Sequence, residues 1–151
     1  MREEIMVGIK QFSISNNKVS YDIKVKRKIS LIGGDSGTGK TTLYNLVRDY
    51  ETSKLSIKLS GYTNVKSLCG SSYDIIRDIQ RLKEHILIID DDKLSGTDIN
   101  KIDEAIRNSD NWFILITRDE NQAFGVEYDS IYEMKSDITG KNHWLEPMIT
   151  L

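Results

Sequence analysis

The residues best suited to chemistry are eight in a row, Gly34-Asp35-Ser36-Gly37-Thr38-Gly39-Lys40-Thr41, which satisfy the pattern G-x-x-x-x-G-K-[ST]. Glycines at this spacing let the backbone curl so that successive N–H groups point inward at phosphate oxygens. A helix that follows adds the positive end of its dipole. In that arrangement the Lys40 ammonium reaches the β- and γ-phosphates, and the Thr41 hydroxyl is offered to magnesium. The expected ligand is a nucleoside triphosphate, ATP with Mg2+, held by residues 34 to 41 and the adjoining Thr42. A glycine turn that binds nothing is the plainer alternative.

The second signal is Ile86-Leu87-Ile88-Ile89 ending in Asp90-Asp91-Asp92. A carboxylate at the tip of a strand beside a phosphate-binding loop holds magnesium, often through water, and Asp90 is that candidate. Many ATPases with such a loop carry a glutamate directly after the metal-holding aspartate to orient or deprotonate water. Here the position is Asp91, one methylene shorter, with Asp92 beside it. Alternatively, Asp91 and Asp92 only begin the next loop or cap a helix. Arg118 follows the apolar run Trp112 to Ile116 and is a candidate for stabilising charge at the γ-phosphate, or for pairing with Asp119 or Glu120 at the surface. His85 and His143 lack ligand spacing and are assigned no metal.

These groups need elements to hold them. Alternating stretches around Asn16-Asn17 predict a hairpin, with Ile5, Val7 and Ile9 before it and Val19, Tyr21, Ile23 and Val25 after. Lys28–Ile32 reads as a strand entering the glycine loop, and Leu43, Leu46, Val47 and Tyr50 mark a helix leaving it. Leu55, Ile57 and Leu59 predict another strand, while 62 to 69 is ambiguous. Helices are expected over 71–84 and 98–108, and strands at 86–89 and 112–116 buried on both faces. The last strands are placed at Ile131 to Met134 and Trp144 to Ile149, with Pro147 suggesting an edge. Strands alternating with helices predict a single domain over 1–151 with an α/β, three-layer fold, a mostly parallel central sheet and an N-terminal antiparallel hairpin.

Composition narrows the function classes. With 21 basic and 23 acidic residues among 151, and a net charge of -2, no whole-molecule field would draw in nucleic acid or an anionic membrane. The basic run Lys24 to Lys28 alternates like one solvated strand face. Cys69 is alone, which excludes an internal disulfide and fits a reducing cytoplasm. No segment has signal-peptide or bilayer-spanning length.

The order of hairpin, glycine loop, aliphatic strand with aspartates, Phe113-Ile114-Leu115-Ile116-Thr117-Arg118-Asp119 and finally Asp129-Ser130-Ile131-Tyr132-Glu133-Met134-Lys135 resembles a shortened ABC-type ATPase core. The resemblance implies that Arg118 stands where the family's phosphate-sensing histidine lies, and that Phe12 takes the place of the aromatic residue that stacks on adenine. Core packing is the other reading of Phe12. The chain departs from the family in its middle, with no room for the helical subdomain and no Leu-Ser-Gly-Gly-Gln signature; Leu94-Ser95-Gly96 falls after the aspartates. The family's signature-dependent dimeric mechanism and a transport role are therefore not expected. The expected function is ATP binding with weak Mg-dependent hydrolysis, using Lys40, Asp91 and Arg118. The alternatives are a non-catalytic nucleotide-binding module that contacts a protein partner, and a small-molecule kinase.

Overall fold

Polar residues that alternate with buried ones decide how far a sheet can be covered. In Ser20–Val25, Tyr21, Ile23 and Val25 are buried while Asp22 and Lys24 are exposed, so only one face of this strand is packed. By contrast, every residue of Ile86–Asp90 and of Trp112–Ile116 is buried, so both faces of those strands are covered.

The computed structural model describes residues 8–33, 38–94, 98–117 and 124–148. The elements are β1 (Lys10–Ser15), β2 (Ser20–Val25), β3 (Ile29–Gly33), α1 (Lys40–Asp49), β4 (Lys58–Gly61), β5 (Val65–Ser67), α2 (Ser72–Arg81), β6 (Ile86–Asp90), α3 (Ile99–Arg107), β7 (Trp112–Ile116), β8 (Ser130–Ser136) and β9 (Asn142–Pro147). All nine strands join one sheet in the order β4-β1-β2-β9-β8-β3-β7-β6-β5. Pairing is antiparallel in β4–β1, β1–β2 and β9–β8, and parallel in β2–β9, β8–β3, β3–β7, β7–β6 and β6–β5.

This architecture corrects the expected three-layer α/β fold with its mostly parallel sheet. The described residues are mostly β, a mixed, curled nine-stranded sheet with three short α-helices. The sheet curls around α1: Leu43, Tyr44, Leu46 and Val47 share one core with Phe12, Ile14, Tyr21, Ile23, Ile88 and Ile114. On the other face α2 and α3 cover only the β3–β7–β6 portion, through Ile75, Ile79, Ile102 and Ile106 against Leu87, Ile89, Phe113 and Leu115. The outer face of β1 and β2 presents Gln11, Ser13, Asp22 and Lys24, and Gln11 and Ser13 hydrogen-bond Asp22 across the strands. A polar face of this kind has no apolar surface with which to seat a third layer.

Local signals explain the element ends. Asn16 closes the β1–β2 turn, its side-chain oxygen accepting from the N–H groups of Lys18 and Val19 at 2.8 and 2.9 Å. Ser71 and Asp74 form a reciprocal capping box on α2, and Asp98 caps α3. Two strand expectations shift. Leu55 is fully exposed, and β4 begins after it. β9 is interior between β2 and β8, but β2 pairs only with Asn142 to Trp144. Pro147 therefore meets β8 alone and its missing N–H leaves no gap on the other side. Among the described residues no helix is long and apolar enough to cross a membrane. The basic run lies at the end of β2, with Lys24, Lys26 and Arg27 exposed.

Candidate functional site

Three parallel strands end level with one another. In register, Ile32 of β3 lies beside Ile116 of β7, and Ile116 beside Asp90 of β6. The carboxyl ends of parallel strands are where open sheets of this kind place ligands. Gly33, Thr117 and Asp90 thus share one edge, and α1 starts from the same edge.

Lys40, the first residue of α1, is 4% exposed, and its ammonium donates to the Thr117 carbonyl at 3.1 Å. A lysine so buried needs polar partners to keep its charge. One residue on, the Thr41 hydroxyl donates to Asp90 Oδ2 at 3.3 Å. Asp90 is wholly buried, and its Oδ1 accepts the Asp92 N–H at 3.0 Å. Burial pushes the Asp90 carboxyl above its ordinary value, and the charges of Asp92 and Asp91 add to this, while the hydrogen bonds from Asp92 N–H and Thr41 work against it.

Residues Asp91–Lys93 form a single 3-10 turn capped by Asp90, so the aspartates do begin the following loop. They also stay close, with one carboxylate oxygen of each of Asp90, Asp91 and Asp92 within 4.8 Å of the others. Asp91 Oδ1 is buried without a hydrogen-bond partner. Together with Thr41 these residues make an all-oxygen set of the kind magnesium takes, with one unsatisfied oxygen that a cation or its water would satisfy.

Of the other sequence candidates, Thr38, Gly39 and Thr42 line a cavity of about 630 Å³, with Tyr21, His143 and Gly140. Gly34, Asp35, Ser36, Gly37 and Arg118 lie outside the described residues, as do Asp119, Glu120, Ser95 and Gly96. Phe12 is corrected: it is fully buried in the core around α1, with no ring face open to an adenine. The strand alternation that buries Ile14 buries Phe12 with it.

Two residues at the turn were given no functional role by sequence. Tyr21 and His143 stand side by side in the parallel β2–β9 pair, and their rings stack with centroids 4.4 Å apart and planes 11° from parallel. The only local signal was the alternation that turned Tyr21 inward. A pairing between segments so distant in sequence leaves no local trace that would have joined them. No family model matches the chain, and no curated protein matches it in sequence.

Proposed function

We propose that this chain binds a nucleoside triphosphate, ATP with magnesium, at the turn leading into α1, and hydrolyses it slowly. The observation that carries the reading is the convergence of Lys40, Thr41 and Asp90 at the shared edge of β3, β7 and β6, with Thr41 and Asp90 at 3.3 Å. The G-x-x-x-x-G-K-[ST] sequence supplies the amides and the ammonium for the phosphates. Thr41 and Asp90 would hold magnesium, which when bound neutralises charge on the phosphate oxygens. Asp91, with its unpartnered oxygen, orients a water toward the terminal phosphorus. The cavity beyond Gly39 has the volume of a small-molecule site and takes the nucleoside. Free Cys69 and the need for ATP fit a cytoplasmic setting.

Calorimetric titration with ATP, ADP and GTP, with and without magnesium, tests the reading. We expect micromolar-range ATP affinity that weakens without the metal, and a loss of at least about 100-fold in Lys40→Ala, since a charge-assisted contact to phosphate is among the strong ones. Equal binding by wild type and Lys40→Ala would refute it. Phosphate release reduced by Asp91→Asn at unchanged ATP affinity would assign the water-orienting role; unchanged release would remove it.

A further inference from the structure

Gly39 sits in the left-handed region, with φ of 98°, and its carbonyl accepts two hydrogen bonds. One, from Leu43 N–H at 3.1 Å, closes the first turn of α1. The other comes from the Tyr21 hydroxyl at 2.8 Å, on a strand 18 residues earlier. Any larger residue here would be doubly opposed. The backbone angle is one obstacle, and an added Cβ would lie 2.7 Å from the Tyr21 oxygen and 3.1 Å from two atoms of the His143 ring.

A trans peptide is planar, so its C=O and N–H point in opposite directions. Fixing the Gly39 carbonyl toward Tyr21 and the helix therefore fixes the Lys40 N–H on the opposite side, at the end of α1 whose dipole favours anions. His143 backs the tyrosine. It is held against the ring by the β2–β9 pairing, is only 8% exposed, and lacks a hydrogen-bond partner at Nδ1. Burial pushes the Tyr21 phenol up to about 12, so it keeps its donor proton across the physiological range.

We propose that Tyr21 and His143 are positioning residues for the phosphate-binding turn, setting the Gly39–Lys40 peptide so that triphosphate affinity depends on the β2–β9 strand pair. This rests on the reading that the turn holds a triphosphate. The aromatic pair touches the turn and also lines the cavity beside it, so tripolyphosphate, which carries no nucleoside, isolates its effect on the turn.

The test titrates MgATP and inorganic tripolyphosphate into wild type, Tyr21→Phe, His143→Ala and His143→Phe. Tyr21→Phe removes one hydroxyl and is expected to weaken both ligands about 3- to 10-fold, the range for a lost hydrogen bond. His143→Ala produces a similar loss, and His143→Phe, which keeps a flat ring against Tyr21, returns affinity to within about 2-fold of wild type. In ligand-free protein the Lys40 amide resonance shifts in Tyr21→Phe, a readout independent of affinity and informative even if His143→Ala does not fold. Wild-type binding of both ligands with unchanged affinity in Tyr21→Phe and His143→Ala, or no rescue by His143→Phe, overturns the positioning role and leaves the triphosphate reading standing. If wild type binds neither ligand, both fall together.

Discussion

The two ends of the sheet differ in direction and in chemistry. From β8 through β3, β7, β6 and β5 every pairing is parallel, and the strand ends meet on one edge with Lys40, Thr41 and Asp90. From β4 through β1 and β2 to β9, antiparallel pairs dominate, and alternate residues face water. Parallel strands gather backbone groups of one kind at one end, which favours a concentrated site. Antiparallel strands alternate their ends and have no such edge. The antiparallel end contributes differently, since it holds Tyr21 beneath Gly39 and curls to cover α1. The molecule thus separates an end that carries polar groups from an end that supports them.

The largest effects should test this separation directly. Ile114 on β7 and Ile14 on β1 are both wholly buried in the core around α1. Truncating either to alanine should cost about 2–5 kcal/mol, the range for deleting three methyl or methylene carbons from a packed core. Chemical denaturation would measure both. The contrast lies in binding: Ile114→Ala, between the strands that bear Asp90 and the start of the glycine loop, should also weaken ATP, whereas Ile14→Ala, which reaches the turn only through Tyr21 beside it, should weaken it less. Equal effects on binding would dissolve the distinction between the two ends.

How much of this was legible in the sequence follows the same division. β6 and β7 were readable because strands covered on both faces exclude polar residues, leaving unbroken runs such as Ile86 to Ile89. The helices containing Ile75 and Ile79, and Ile102 and Ile106, were readable from their spacing, and Thr41 and Asp90 are in hydrogen-bond contact. The layer architecture was misread, although Asp22 and Lys24, alternating with Tyr21, Ile23 and Val25, already carried the information that one face there is wet. Counting strands and helices gives no account of which strands curl. Phe12 was placed by the resemblance, and position along the chain does not fix the direction of a strand side chain. The Tyr21–His143 stack depends on a parallel pairing between distant strands, which no local periodicity encodes.

Asp90→Asn sets stability against function at the parallel end. The carboxylate is wholly buried, and burial opposes its charge. An amide of the same shape removes that cost, its oxygen accepting from the Asp92 N–H and its NH2 donating to the Thr41 hydroxyl oxygen. We expect the melting temperature to rise modestly and the magnesium dependence of ATP binding to disappear. A lower melting temperature with the metal dependence intact would show that Asp90 serves the fold and not the site.

The smallest effect belongs to the turn between β8 and β9, at the supporting end. Asp137 accepts from Asn142 Nδ2 at 2.6 Å, from the Thr139 hydroxyl at 2.8 Å, and from the N–H groups of Lys141 and Asn142 at 3.1 and 3.3 Å. The Asn142 and Thr139 side chains chiefly, with the two backbone donors, hold this exposed carboxyl well below its ordinary value. A lowered native value means the unfolded chain takes up the proton first as pH falls. The turn's contribution is therefore complete above the ordinary carboxylate range and is lost as pH falls through that range toward the depressed native value. Asp137→Ala should remove this acid-sensitive component, lowering the melting temperature slightly at pH 7 and less at pH 3, with Tyr21, His143 and ATP affinity unaffected. Melting curves for both proteins at the two pH values would check the sign. If ATP affinity fell as well, the β8–β9 turn would have to act on the phosphate-binding turn, through β9 or across the cavity that Gly140 shares with Gly39.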